Sequence, residues 1–307
     1  FPQMPVLVLL QPSDDELLPA IHAGLQLTLC DLKTAERIGK LATKEKRIAR
    51  VHCEIDTGMG RQGFRLDLEP ESILKITRIS SIDIQGVFTH FPEADQTDKT
   101  YTLNQIKTFR NHLAQLSREG IPFETIHAAN SAGVLNHPTS YFDMVRPGII
   151  TYGVYPSNEV PDDSPFRPVA SWTTRIVLIR DLPADTDISY GRTYRTTKPE
   201  KIAVLPIGYA DGFPRALSNQ GEVIVHGQRC QVRGTVTMNE TMIDVTGVAA
   251  VSVGNTVTLI GTEENECIRV EEIAEKCNTI GYDIMTGIGP QVHRHYTSNS
   301  QNSDRLQ

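Results

Sequence analysis

The feature that most narrows what this chain can fold into is a regular alternation in its first half, where short apolar, β-branched runs are separated by amphipathic stretches. Six runs read as strands: VLVLL (6–10), LTLC (27–30), RVHCEID (50–56), IQGVFTH (84–90), ETIHAAN (124–130) and DMVRPG (143–148). Between them the spacing predicts helices. One spans Asp14 to Gly24 behind the capping-box pattern Ser13-x-x-Glu16, in which side-chain oxygens satisfy the free N–H groups of a helix start. Another runs from Thr100 to Gly120 and closes on a glycine, which adopts the left-handed backbone of a helix end without steric penalty. Strands that are apolar throughout and joined through helices make a parallel sheet covered on both faces.

An open doubly wound sheet and a closed (β/α)8 barrel both satisfy that pattern, so the placement of polar residues has to decide. Asp56 to Arg61, His90, Asn130 with Ser131, and Arg146 to Gly148 each follow the C-terminal end of a different strand, where barrel enzymes carry their chemistry. A barrel needs about eight strands and six are read here, so a barrel implies that the first two β/α units are missing and the sequence is N-terminally truncated. It opens on Phe1, directly before an apolar run.

Around Pro156 to Pro168 the composition shifts to Pro, Asp and Ser, which reads as a linker. The segments WTTRIVLIR (172–180), KIAVLPIGY (201–209), EVIVHG (222–227), QVRGTVTM (231–238), TMIDV (241–245) and NTVTLIG (255–261) then look like strands between turns, with a helix near Val270 to Cys277. The expected organisation is an α/β domain over 1–160, a mostly antiparallel β domain over 166–296 and a polar tail, 297–307.

The net charge of −7 carries no Lys/Arg cluster, which argues against nucleic acid or an anionic membrane as partner. No apolar run is long enough to span a bilayer. Five cysteines without a C-x-x-C pair or metal-ligand spacing imply neither a disulfide framework nor a metal site, and a reducing cytoplasm fits them.

Single residues say little: His90 alone reads as a satisfied histidine at a strand end, Arg146 as a surface ion pair, and Tyr190 and Tyr209 as core or interface aromatics. Their joint order says more. DTGMGRQGF (56–64), THF (89–91), HAANSAG (127–133), MVRPGIITYG (144–153), SYGRTY (189–194), IGYADGFPR (207–215) and GTVTMNETMIDV (234–245) together closely resemble the alanine racemase family, over roughly residues 1 to 296. The resemblance implies a (β/α)8 TIM-type barrel followed by a β domain, pyridoxal 5'-phosphate (PLP) as cofactor, and a homodimer whose active sites draw on both subunits. It also implies interconversion of L- and D-alanine for peptidoglycan in a bacterial cytoplasm. Racemisation at an α-carbon needs one base on each face.

By the same resemblance Tyr190 is the tyrosine base supplied by the partner subunit, and Arg61 and His90 give the phenol, which titrates near pH ~10 in water, its positive setting. Arg146 faces the pyridine nitrogen, where a guanidinium donates a hydrogen bond without giving up its proton, and His127 orients it. Asn130, Ser131, Gly148 and Ile149 form the phosphate side. Met238 meets the substrate carboxylate through its backbone, Arg61 takes part in substrate binding, and Tyr209 belongs to the entry region.

The chain departs from the family pattern at several places. No V-K-A-N-A-Y-G-H-G-like segment carrying the cofactor lysine is found, and Lys33, Lys40, Lys44 and Lys46 lie in polar, helix-like stretches, so the chain as written is expected to be inactive. Glu54 stands where many members carry a carbamylated lysine, and a direct charge pairing with Arg61 is expected. Asn239 replaces an aspartate and Pro290 stands at the place of a phosphate-contacting tyrosine, which opens serine or broader substrate use. Two further readings compete: a PLP decarboxylase on the same barrel type, whose Gly-rich phosphate loop and catalytic cysteine motif are not seen, and a non-catalytic remnant that binds PLP weakly.

Overall fold

Parallel pairing organises the first half of the chain, as its apolar runs predict. Strands β1 (Leu7–Val8), β2 (Gln26–Leu29), β3 (Ala49–Glu54), β4 (Ile82–Phe88) and β5 (Thr125–His127) lie in sequence order in one sheet, every pair parallel. The structure, a computed structural model, describes residues 4–160 and 166–297. The described residues up to Thr151, and again from Asn158, fall in one compact unit; Tyr152–Ser157 and the described residues from Phe166 onward fall in a second.

A sheet with strands in sequence order has no switch point, so it is an arc of a barrel and not a doubly wound sheet. The described strands make about half of one. DMVRPG, read as a sixth strand, contributes a single bridge from Met144 to His127. Arg146 turns its N–H back to the Ala129 carbonyl at 2.8 Å, and Pro147 has no N–H to continue a ladder.

Helices α1 (Asp14–Ala23), α2 (Leu32–Lys44), α3 (Ser72–Ile76) and α4 (Thr100–Arg118) connect these strands, and α5 (Ser131–Asn136) follows the last of them. The Glu16 carboxylate accepts from the Ser13 backbone N–H at 2.9 Å, as the capping pattern predicts, and Gly24 ends α1 at φ 70°. In α2 the residues Ala35, Ile38, Gly39 and Ala42 form the buried stripe, spaced so that one helix face meets the sheet. Gly39 is required there because a Cβ would lie 2.5 Å from Ile79. Leu27, Leu29, Val51, Cys53 and Val87 supply the sheet's side of this core.

The second unit is antiparallel throughout. Its strands are β6 (Trp172–Arg175), β7 (Leu178–Leu182), β8 (Asp187–Ile188), β9 (Tyr194–Arg195), β10 (Glu200–Leu205), β11 (Glu222–Val225), β12 (Gln228–Gln231), β13 (Thr241–Asp244), β14 (Thr256–Glu263) and β15 (Glu266–Ile268). They pair as β13-β10-β7, as β12-β11-β14-β15 with β6 on β14, and as the hairpin β8-β9. Two helices, α6 (Val270–Lys276) and α7 (Gly281–Gly287), follow.

Three details differ from the sequence reading. WTTRIVLIR is two strands in different sheets, because the Ile176 N–H goes to Asn255 while that of Val177 goes to Val204. QVRGTVTM leaves its strand after Gln231: Gly234 takes φ 76°, a left-handed bend that stops the ladder. The segment read as a linker includes residues 161–165, which lie outside the described residues, and beside them Tyr155 and Val160 are buried. The polar tail lies outside the described residues beyond Thr297.

Candidate active site

In the first unit, polar residues converge where β3, β4 and β5 end. Arg146 is their hub. Its Nη1 donates to His127 Nδ1 at 2.6 Å; its Nη2 donates to the carbonyls of Thr89 (2.8 Å) and Ala128 (3.0 Å) and to His90 Nδ1 (3.3 Å). Nε stands outside that set of bonds. The guanidinium also sits 4.9 Å over the Phe88 ring, on which His127 stacks at 4.7 Å. Burial pulls the Arg146 pKa down to about 10, against the raising influence of Glu54, so the group remains a cation at neutral pH.

The proton positions follow from who donates. An arginine cannot accept, so His127 Nδ1 bears the lone pair and Nε2 carries the hydrogen. His127 Nε2 lies 2.9 Å from His52 Nδ1, which must therefore be the acceptor. The resulting Arg146→His127→His52 chain requires both rings to be neutral. Their environment agrees: desolvation, reinforced by the Arg146 charge, holds His52 down at about 4 and His127 lower still. His52 faces Gly86 across the β3–β4 register, where a bulge skips Gln85. A Cβ on Gly86 would lie 2.3 Å from His52 Nδ1, so the glycine is what admits the ring.

Beside this hub, Ser131 Oγ accepts from the N–H groups of Gly148 (2.8 Å) and Ile150 (3.4 Å), leaving its own hydrogen to donate. Asn130 caps α5 through Gly133 N–H (2.9 Å) and ties back to the Phe91 carbonyl (3.1 Å). The loop after β3 is folded on Asp56, whose Oδ1 accepts from the N–H groups of Gly58 (2.9 Å) and Gly60 (3.1 Å). Arg61 leaves that loop exposed to solvent.

In the second unit a cavity of about 500 Å³ is lined by Tyr190, Tyr209, Arg215 and the segment from Thr235 to Glu240. Tyr209 and Met238 are held together by backbone bonds, Tyr209 N–H to the Thr237 carbonyl and Ala210 N–H to the Met238 carbonyl, both at 3.0 Å. Gly208 permits the approach, since a Cβ there would lie 2.2 Å from the Thr237 oxygen.

Residues 1–156 match the model of the alanine racemase N-terminal domain, and residues 169–296 that of the alanine racemase C-terminal domain. The chain belongs to the alanine racemase family. By family it is an amino-acid racemase. It is 41% identical to alanine racemase 2 of Caldanaerobacter subterraneus over 95% of its own length and 76% of the relative's. It superposes with a TM-score of 0.90, at 35% identity, on the alanine racemase of Bacillus anthracis with bound L-Ala-P, covering 97% of this chain and 77% of that one. The alanine racemase of Bartonella henselae, solved with covalently bound pyridoxal phosphate, aligns with a TM-score of 0.85 at 26% identity over 96% of this chain and 79% of that one.

Set against the family expectations, the structure brings His90, Arg146 and His127 into one hydrogen-bonded cluster with Asn130, Ser131, Gly148 and Ile149 alongside, and gathers Tyr190, Tyr209, Met238 and Asn239 around one cavity. Two expectations need correction. His90 is not a positive neighbour: burial, then the charges of Arg146 and Arg61, hold it down at about 4, so it is neutral at pH 7. Glu54 does not pair directly with Arg61. Gly60 and Gly63, both at positive φ, turn the loop so that Gln62 donates to the Glu54 carboxylate instead. Burial raises that carboxyl to about 7, while Gln62, Arg61 and Arg146 pull the other way. The sequence reading passed over His52, whose signal is a histidine in an apolar strand opposite a glycine, and Arg215, inside a quoted motif.

Proposed function

We propose that this chain carries out the chemistry of a PLP-dependent alanine racemase, interconverting L- and D-alanine for peptidoglycan in a bacterial cytoplasm, as a homodimer in which each site takes residues from two copies. The observation that carries the reading is the Arg146 hub: a cation held in place by His127, His90 and two carbonyls, with Nε left over.

This donor set fits the cofactor. A group that keeps its proton suits a ring nitrogen that is to be hydrogen-bonded and not protonated, and the Ser131 hydroxyl beside the Gly148–Ile150 turn suits a phosphate. When bound, PLP supplies the electron sink that acidifies the α-proton of an amino acid. Arg146, which keeps its proton, would donate a hydrogen bond to the ring nitrogen and so limit how strong that sink becomes. The Ser131 hydroxyl and the Ile149 N–H would hold the phosphate, with Gly148, whose N–H donates to Ser131 Oγ, shaping the turn and Asn130 fixing the start of α5 behind them. Tyr190, from a second copy, takes or returns the proton at Cα on one face. With His90 neutral, the positive charge that favours its phenolate is Arg61. The Met238 N–H receives the substrate carboxylate, and Tyr209 lines the way in.

Lys33, Lys40 and Lys44 on α2 and Lys46 just beyond it are exposed, and no cofactor-lysine motif is found in the sequence, so the 307 residues are expected to hold the cofactor without a covalent bond and not to racemise by themselves. PLP titrated into the protein and reduced with borohydride is expected to leave every lysine unlabelled. Fused to the part of the Caldanaerobacter relative that it does not cover, the chain is expected to racemise alanine, and Tyr190→Phe to abolish α-proton exchange on one face. A labelled lysine overturns the first statement; undiminished racemisation in the Tyr190→Phe fusion overturns the second.

A further inference from the structure

The loop that carries Tyr190 contains a backbone conformation that serine should not adopt. Strands β8 and β9 form a hairpin paired Ile188 to Tyr194, and residues 189–193 join them. Ser189, immediately before the tyrosine, has φ 64° and ψ −178°. That region is essentially restricted to glycine, because a Cβ collides with the neighbouring peptide, and it persists elsewhere only where surrounding contacts over-determine it. Gly191 is also left-handed, at φ 73°, and Arg192 at φ 50°.

The contacts that hold Ser189 are specific. Its hydroxyl donates to the Thr235 carbonyl at 2.6 Å. The hydroxyl of the same Thr235 donates to the Tyr190 carbonyl at 2.9 Å, so one residue grips both sides of the Ser189–Tyr190 peptide. Thr235 Oγ1 is in turn 3.3 Å from Thr193 Oγ1, which receives Asn219 Nδ2 at 3.0 Å, while Asn219 Oδ1 accepts from Gly234 N–H at 2.6 Å. Since the Thr235 hydrogen points at Tyr190, the chain runs in one direction, Asn219→Thr193→Thr235→Tyr190. Gly234 lets the two segments touch: a Cβ on it would lie 2.8 Å from both the Ile188 oxygen and Ser189 Cβ. Tyr190 itself is 75% exposed in the single chain, so within its own chain its position comes from the backbone beneath it.

We propose that Ser189 and Thr235 are positioning residues for Tyr190: the Ser189–Thr235 bond latches a strained turn and thereby aims a phenol that the rest of its own chain leaves exposed. The catalytic significance rests on Tyr190 being the base, as proposed above; the latch itself does not. A hydroxyl-bearing residue in a glycine-only conformation makes a separable prediction. Ser189→Ala removes the bond and keeps the strain, so the turn relaxes. Ser189→Gly removes both, so the turn stays.

The test is ¹⁹F NMR of the 307-residue protein grown on 3-fluorotyrosine, which labels nine tyrosines, the Tyr190 resonance being assigned by its loss in Tyr190→Phe. Ser189→Ala is expected to split the Tyr190 signal or broaden it at least about twofold, while Tm moves by no more than about 4 °C, the loss of one hydrogen bond. Ser189→Gly is expected to restore one narrow line. Thr235→Val, which keeps the shape and the carbonyl but frees the Tyr190 oxygen, is expected to broaden it too, and it serves should Ser189→Ala not fold. A Tyr190 line unchanged in Ser189→Ala and Thr235→Val, or equally split in the alanine and glycine variants, overturns the proposal. If the latch holds in this spectrum while the Tyr190→Phe fusion racemises normally, it is the base assignment that has failed.

Discussion

The Arg146 hub and the Tyr190 cavity fix their side chains by opposite means. In the first unit the groups are buried among one another: Arg146 bonds to two carbonyls and two histidines, His127 reaches His52, and Gly86 makes the room. In the second unit Tyr190, Tyr209 and Met238 are exposed, and only the backbone beneath them is held. The first arrangement is part of the core, so changing it costs stability. The second is exposed, so changing its side chains is expected to leave the fold alone.

The largest effect is therefore expected at the hub. Arg146→Leu leaves the Thr89 and Ala128 carbonyls and His127 Nδ1 without their donor, and unpaired buried acceptors cost about 1–3 kcal/mol each when water cannot reach them. Partial solvation of a half-buried site reduces that sum, and a loss of about 3–5 kcal/mol in chemical unfolding is expected. Gly86→Ala, which forces a methyl onto His52 and the Thr125 carbonyl, should fall in the same range. Equal stability of both variants and the parent would mean that the hub is not part of the core, and the contrast with the second unit would vanish.

A middle-sized effect is expected from acid. For a histidine held below its ordinary value, the folded state binds the proton more weakly than the unfolded chain. The stabilisation is then complete above pH 6.5 and lost as pH falls toward the folded value, about 4 for His52 and His90 and lower for His127. For the buried His52 ring this is on the order of 3 kcal/mol. Glu54 works in the other direction: raised from 4.5 to about 7, it favours the fold below pH 4.5 and loses that advantage as pH rises through 7. One carboxyl offsets one histidine, so the sum is still a loss between pH 6.5 and 4. His52→Asn, which keeps an acceptor for His127 and removes one titrating ring, should flatten the fall of Tm with acid. An unaltered slope would show that the ring is not the buried neutral group described.

The same contrast explains what could be read from residues alone. The sheet was legible because buried parallel strands are apolar end to end, and the hub's main residues because a barrel puts polar residues at strand ends. His52 was not, because a histidine inside a strand becomes informative only once the Gln85 bulge sets Gly86 opposite it, and register is a pairing property. Gln62 taking the place of Arg61 beside Glu54 depends on where Gly60 and Gly63 turn a loop, and no spacing in the sequence encodes that. In the second unit, QVRGTVTM has strand propensity in its threonines and valines, and tertiary packing at Gly234 overrides it to form the floor under Tyr190. Chemistry placed on ladders is visible as pattern; chemistry placed on strained turns is visible only as motif.

The smallest effect on stability is expected at Tyr190 itself. Its side chain is 75% exposed, and the bonds that hold its loop run through the carbonyl, which phenylalanine retains. Removing an exposed hydroxyl forfeits no buried partner, so Tyr190→Phe should change unfolding free energy by less than about 0.5 kcal/mol, the scale of surface substitutions away from special backbone. Denaturant titration of the 307-residue protein decides this without reference to activity. A loss of 2 kcal/mol or more, on the order of a buried polar group left unpaired, would mean that the phenol is tied into the unit, and the division between a hub that stabilises and a cavity that presents would have to be withdrawn.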